Sequence, residues 1–390
     1  MKEQLQIDFD NIIKTTSFTK RDIELKQNSL NEFIKTGFPS RRQENWKFSD
    51  INQIIKKNIG DLSFYNDYSS SNKIDTSVFV DGLEHNKIIF VNGIIEKIDF
   101  DYEKKDKVEI IDEQEIDNRS NKFNSLINLN KAFTNKFYKI LIKKDYELIK
   151  PLIIYHITNN KIKSKNINLC LNFQLEENSS LRLIDLFNDT SEKNFLNIFY
   201  NFDLKQDSVL KNYKIDKIKN KNVKYSFNNI EQATNSVSET FILSSGSQFF
   251  KNEINCNLKG KYSSAFINGI FSLSDNRHHE IRTTVNHLTE NTKSYQLIKS
   301  VLDDSSKAAY QGKIYVNSEA QKTDGYQLSK AILLDKASEF NAKPELEIYA
   351  DDVKCSHGSA SGSLNEDSIF YLMSRGLNYQ QSRELLINGF

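Results

Sequence analysis

Between Ile167 and Val237 a run of alternating apolar and polar residues begins every 14 residues, at Ile167, Leu181, Phe195, Val209, Val223 and Val237. Alternation is the signature of a strand, whose successive side chains leave opposite faces; a helix returns to one face only after 3.6 residues. In INLCLNFQL, Ile167, Leu169, Leu171, Phe173 and Leu175 share one face, and Asn168, Cys170, Asn172 and Gln174 share the other. Repetition at a fixed period marks a stacked array, in which each rung buries its neighbour's face. An antiparallel sandwich is the competing reading, with turns every about 8–12 residues. With 13 glycines and 3 prolines in 390 residues, the chain offers such hairpins few tight turns. After Val237 the phase degrades, although INCNL around Cys256 and AFINGIF around Ile267 still alternate. Pattern alone gives an all-β stack.

Both ends read differently. Thr19, with Asp22 three positions on, opens a helix carrying Leu30, Phe33 and Ile34, which Gly37 and Pro39 stop. Ser49 is expected to cap a second helix with Ile51, Ile54 and Ile55 on one face, ending near Gly60. A polar loop over 66–75 and strands over 78–80 and 87–91 follow, and Asn92-Gly93 turns the chain into a strand over 94–98. Phe123, Leu126, Ile127 and Phe133 predict one more helix. At the other end, Asn365 caps a helix with Ile369, Leu372 and Met373, and Gly376 stands just past its end. Asn378 and Gln381 form a capping box for a last helix whose apolar side includes Leu385 and Leu386. We divide the chain into a helix-rich α+β segment (1–136), a β core (137–363) and a helical segment (364–390).

Charge and motif content remove several function classes. Lys and Arg number 53 against 52 Asp and Glu, interspersed, so the basic excess that binds a phosphate backbone is missing and nucleic acid is not an expected partner. Three widely spaced cysteines, Cys170, Cys256 and Cys355, argue for a reducing compartment over a disulfide framework. No apolar run approaches the roughly 20 residues of a membrane span, and MKEQLQIDFD carries acids where a signal peptide is apolar. We expect a cytoplasmic chain without membrane association. Neither a G-x-x-x-x-G-K-[ST] loop nor a G-x-G-x-x-G turn occurs, so ATP hydrolysis and dinucleotide binding have no visible seat. The histidines of RHHEIRTTVNHL (His278, His279, His287) match neither H-E-x-x-H nor a zinc-finger spacing. On a strand His278 and His279 face opposite ways, which favours polar surface or partner contact over a metal site. Cys170 and Cys256 lie in strand-like runs and read as buried, inert thiols. Asp351 and Asp352, being adjacent, diverge on a strand and do not act as a pair.

The richest stretch is KPELEIYADDVKCSHGSASG (343–362). Cys355 and His357, two apart on a strand, emerge from one face, as half of a tetrahedral metal site or as a thiol with a basic neighbour. Such a spacing is common on its own; the wording around it is not. This stretch, with IFYL (369–372), Ser374-Arg375-Gly376 and the leucine-rich end at Phe390, resembles the C-terminal signature of the SufB/SufD family of iron–sulfur cluster assembly scaffolds. Glu44-Asn45-Trp46-Lys47-Phe48-Ser49-Asp50 resembles that family's N-terminal E-x-W element, and QKTDGYQ (321–327) the segment before the signature. The likeness is dense from about Tyr295 to Phe390 and collinear but sparse before that. The wording is that of the SufD-like branch, since SufB-like chains carry a glutamate-rich E-H-E-A in place of DDVKCSHG. AAYQG (308–312) and SKAI (329–332) depart from the family wording, which bears on local packing.

The resemblance implies a mainly β fold: a right-handed parallel β-helix between an N-terminal helix-rich domain and a C-terminal helical pair. Its last strand would run from Leu346 through Lys354 to the C-x-H. It implies a non-enzymatic scaffold that pairs with a SufB-like subunit and recruits a SufC-like ABC ATPase through the C-terminal helices (Ile369, Leu372, Leu385, Leu386). His357, and less securely Cys355, would form an interfacial half-site for a nascent iron–sulfur cluster, with no cofactor stably held by this chain alone. A homodimer of the isolated chain is left open. Two other readings stand beside it: a SufB-type paralogue that builds the cluster directly, and a β-helix carbohydrate-active enzyme. The last would group acids on one ladder, whereas the polar faces here carry Asn and Lys.

Overall fold

The computed structural model describes residues 2–16, 18–64, 79–113, 124–159, 162–189 and 191–390. The chain opens with α1 (Lys2–Thr15), α2 (Lys20–Thr36) and α3 (Ile51–Asn58). Strands β1 (Asn86–Val91), β2 (Ile94–Asp99) and β3 (Val108–Glu113) precede α4 (Ser125–Phe133). Then come β4 (Phe137–Ile142), β5 (Leu152–Thr158), β6 (Asn166–Leu175), β7 (Ser180–Asp189), β8 (Phe195–Leu204), β9 (Val209–Asp216), β10 (Val223–Gln232) and β11 (Val237–Ser244). The stack continues with β12 (Phe249–Leu258), β13 (Ser264–Leu273), β14 (His278–His287), β15 (Lys293–Leu302), β16 (Lys307–Val316), β17 (Asp324–Leu333), β18 (Glu339–Ile348) and β19 (Lys354–Gly362). Helices α5 (Glu366–Ser374) and α6 (Tyr379–Gly389) close the described chain.

From β6 to β17 each strand pairs, in parallel, with the second strand before and after it, so from β4 onward odd strands build one sheet and even strands the other. This is a parallel β-solenoid whose rungs each spend one strand per sheet. The 14-residue period is therefore half a rung. Its loss of phase has a simple origin: β12 starts 12 residues after β11, and β17 starts 17 after β16, so only corner lengths change. The corners also explain the shortage of glycine. Asn178, Asp207, Asn235, Asp275, Asn276, Asn291, Asp304 and Lys322 take positive φ there. Asn and Asp tolerate that region because their short side chains bond the local backbone.

Ile167, Leu169, Leu171, Phe173 and Leu175 point into the solenoid with the core residues of the other rungs. Cys170 points outward, beneath the N-terminal helices, among Phe195, Phe199, Tyr225 and Phe249. At the N-terminal end of the stack, β1 joins β5 and folds back on β2 across Asn92-Gly93, both at positive φ. On the other sheet β3 pairs antiparallel with β4. The α2 capping box forms as the sequence predicts.

Three sequence expectations change. The cap of α3 is Asp50, whose side chain accepts from the Gln53 N–H, while the Ser49 hydroxyl is buried without a hydrogen-bond partner. Phe79 and Val80 form no strand; they pack on Tyr155, whose hydroxyl accepts from the Val80 N–H. The 66–75 loop, Val78 and Phe123 lie outside the described residues. Finally, residues 346–354 are not one strand. Leu346 to Ile348 end β18 in the even sheet, and Lys354 begins β19 in the odd one. Between them Ala350 is buried at a corner held by the Lys322 N–H on the Asp352 carbonyl and the Asp352 N–H on Gln321.

Candidate functional site

The last rung is where the signature lies. In β19, Cys355 sits in register with Gly325, His357 with Gln327 and Ser359 with Ser329, all inward-facing positions. The alternation therefore places the Cys355 thiol and the His357 ring on the inner side of the solenoid wall. A Cβ on Gly325 would stand 3.4 Å from Cys355 Sγ, so the sulfur packs directly over the glycine. Cys355 is half-buried against Ile314, Val316 and Ala320. Burial pushes its thiol up, and Asp324 adds to this, so in this chain alone it is a protonated thiol at neutral pH. His357 is exposed, and among the described residues its ring has no hydrogen-bond partner.

The exposure comes from the stack itself. One rung earlier, the inward Ala308, Tyr310, Ile314 and Val316 of β16 are buried, whereas Phe340, Ala342, Pro344 and Leu346 of β18 are only half so. Strands β18 and β19 are edges of their sheets, and no described segment lies across them. Helix α6 instead lies beside β15: Arg383 pairs with Asp303 at 3.0 Å, and the Lys299 ammonium bonds the Phe390 carbonyl. An uncapped rung exposes strand edges and apolar interior, a combination that proteins ordinarily cover.

The other candidate histidines are fixed inside the protein. His279 faces inward between the Ser244 hydroxyl and the Ser247 carbonyl, at 2.7 Å from each, and burial lowers it to about 4. His287 meets Thr292 and Ser294 and is likewise lowered to about 4 by burial. His278 faces outward, 3.1 Å from Glu280. Among the described residues no three His, Cys, Asp or Glu side chains converge as a metal site. Cys256 is buried, and its thiol is pushed up to about 12 by that burial. Cys170 is buried as well.

On the helical pair, Ile369 is buried, Leu372 and Leu386 are half-buried and Leu385 is exposed. The open apolar surface there is wider than the predicted stripe, with Phe370, Tyr371, Met373 and Tyr379 exposed beside Leu385. Sequence reasoning missed this because it followed the Ile369–Leu372 stripe, where Ile369 packs home, and gave Phe370, Tyr371 and Tyr379 no role. It also missed how the two ends of the chain meet. Trp46 of the E-x-W element is buried on Tyr225, ring centroids 5.6 Å apart, with the Lys251 ammonium 4.6 Å from its ring. The Glu44 carboxylate pairs with Lys343 of β18, and its carbonyl accepts from Gln311. The N-terminal motif thus braces the strand that opens the C-terminal signature.

Comparison with known proteins agrees with this layout. Residues 159–390 match the family model described as SUF system FeS cluster assembly, SufBD core domain. The chain is similar to the iron–sulfur cluster assembly protein SufD of Escherichia coli, 27% identical over 95% of this chain and 88% of that protein. It is also similar to a SufBD family protein of Synechocystis, 39% identical over 24% of this chain and 21% of that protein. With SufB of Bacillus subtilis it shares 25% identity over 35% of this chain and 29% of that protein. With more than half of its length matched to that model, this chain, whose solenoid ends on an open Cys-x-His rung, belongs to the SufBD family of iron–sulfur cluster assembly proteins.

Proposed function

We propose that this chain is a non-enzymatic scaffold whose open last rung pairs with the equivalent end of a SufB-like subunit. Strands β18 and β19 would find partners across the junction, and the half-buried Phe340, Leu346 and Cys355 would lose their remaining exposure. The exposed residues of α5 and α6, Phe370, Tyr371, Met373, Tyr379 and Leu385 with Leu372 and Leu386 behind them, would receive a SufC-like ABC ATPase. Nucleotide-driven movement of two such ATPases would then strain the junction and open it.

The observation that carries this reading is the placement of Cys355 and His357 together on the inner side of an uncapped rung. One thiol and one imidazole do not complete an iron site, but two half-sites across a junction do. The nascent cluster is cargo at that junction. His357, free of internal bonds, is the better ligand or proton acceptor; Cys355, a protonated thiol until a cation or base reaches it, is the weaker.

The test is genetic replacement. His357→Ala should assemble with its partners and fail to restore iron–sulfur enzyme activity in cells lacking the native gene, with Cys355→Ala milder. Full complementation by His357→Ala, or loss of assembly, would make the histidine a structural interface residue.

A further inference from the structure

Directly beneath His357, in register on the neighbouring strand, lies Gln327, which is 1% exposed and has neither its Oε1 nor its Nε2 bonded within the described chain. A buried carboxamide with both ends unpaired is uncommon, because each end has given up water without gaining a bond in return. The site is also shaped for it. Gly312, on the facing strand, leaves the space: a Cβ there would stand 2.3 Å from Gln327 Oε1 and 2.4 Å from Tyr310 Oη. The Tyr310 hydroxyl in turn donates to Gln296 Oε1 at 3.1 Å and lies 3.2 Å from the Thr283 hydroxyl. A polar file, Gln327, Tyr310, Thr283 and Gln296, thus runs inward from the base of the open rung.

We propose that Gln327 is a positioning residue for His357. A half-turn of the carboxamide puts Nε2 toward the Tyr310 oxygen, which still has a lone pair free while its proton goes to Gln296. Oε1 then faces the last rung. The His357 ring, unbonded and exposed, turns inward and donates one ring N–H to that oxygen. Its other nitrogen is left bare and aimed along the open end. This is the arrangement a ligating or proton-accepting imidazole requires: the second nitrogen holds its proton on a fixed acceptor, which sets the tautomer and the ring plane. A substitution at Gln327 changes what His357 presents without touching the junction surface.

The inference rests on the half-site reading of His357, yet its test needs neither partner nor cluster. The full chain labelled with 15N-histidine gives the ratio of the two neutral tautomers of His357, assigned by loss of its signals in His357→Ala. In Gln327→Met, which keeps the side-chain volume and removes the acceptor, the ratio should move about fivefold, the value of one ordinary hydrogen bond. Gln327→Glu, which keeps an oxygen at the same reach, should hold the parent tautomer. If Gln327→Met does not fold, Tyr310→Phe removes only the anchoring hydroxyl and should move the ratio in the same direction by less. A ratio unchanged in the folded variants overturns the proposal, and it does so whether or not His357→Ala complements in cells.

Discussion

The middle of the solenoid and its C-terminal end are built from the same strands and bury their polar groups in opposite ways. In the middle, charges are sealed in and paired. Asp185 receives Lys214 at 2.6 Å along with the His156 ring and the Tyr200 hydroxyl, and Lys224 sits 2.5 Å from Asp189 and 2.9 Å from Asp216. At the end, Cys355 and His357 have no such charged partners among the described residues and lie half-buried or exposed. A closed rung can hold ions only by satisfying them internally, because burial in low dielectric penalises any charge left alone. An open rung can leave its groups unsatisfied for something else to complete. The contrast teaches that buried charge here belongs to the framework, and that the groups left open to an outside partner stand where the stack stops.

The largest effects should therefore come from the middle. Asp185→Ala strands Lys214 in the core and is expected to cost about 3–5 kcal/mol, read as a shifted urea midpoint. A variant as stable as the parent would show that the interior charges are solvated and the comparison false.

Acid should act on the same region. Burial opposes the charge on Glu280, but Lys251 and His278 beside it hold the carboxyl at about 2 against the usual 4.5. Its contribution is complete above pH 4.5 and is lost as pH falls toward 2. His279 and His287, lowered by burial to about 4 from 6.5, stay neutral in the fold while the unfolded chain takes up protons. Their contribution is therefore lost as pH falls from 6.5 to 4. Together the two histidines should remove on the order of a few kcal/mol over that window. Urea titrations at a series of pH values would check it. A midpoint flat between pH 6.5 and 4 would mean that both rings are already charged inside.

Much of this was legible in the sequence, and the gaps have physical causes. Strict alternation at Ile167–Leu175 gave the inward and outward faces, because a wall with a core on one side forces period two. The corner between Ile348 and Lys354 was invisible: an extended run and a corner differ there only in whether Ala350 is buried, which depends on the rung beneath. Ser49 and Asp50 are both good caps, and the structure buries Ser49 while Asp50 reaches the Gln53 N–H. The Cys355 and His357 pair was found through wording, while Gln327 was not, since its neighbour is 30 residues away in sequence and 1 strand away in space. Nor does any local pattern announce that no described segment covers the last rung.

Smaller effects belong to the C-terminal end. Deleting 377–390 should leave the β-rich core folded and abolish capture of the ATPase subunit. Binding at unchanged affinity would remove the docking role of α6. His357→Ala, at an exposed and unbonded position, should shift stability by no more than about 0.5 kcal/mol. A larger loss in the isolated chain would place the ring inside the framework after all.

The central claim is that the stack is left unfinished at β18 and β19 so that a partner can complete it. Amide hydrogen exchange tests this directly, comparing residues 339–362 with β8 and β10 in the isolated chain and after adding the SufB-like subunit from the same cell. The account predicts fast exchange over 339–362 in isolation, slow exchange over β8 and β10 throughout, and strong slowing over 339–362 when the partner binds. Partner binding that protects another surface and leaves 339–362 unchanged would contradict it.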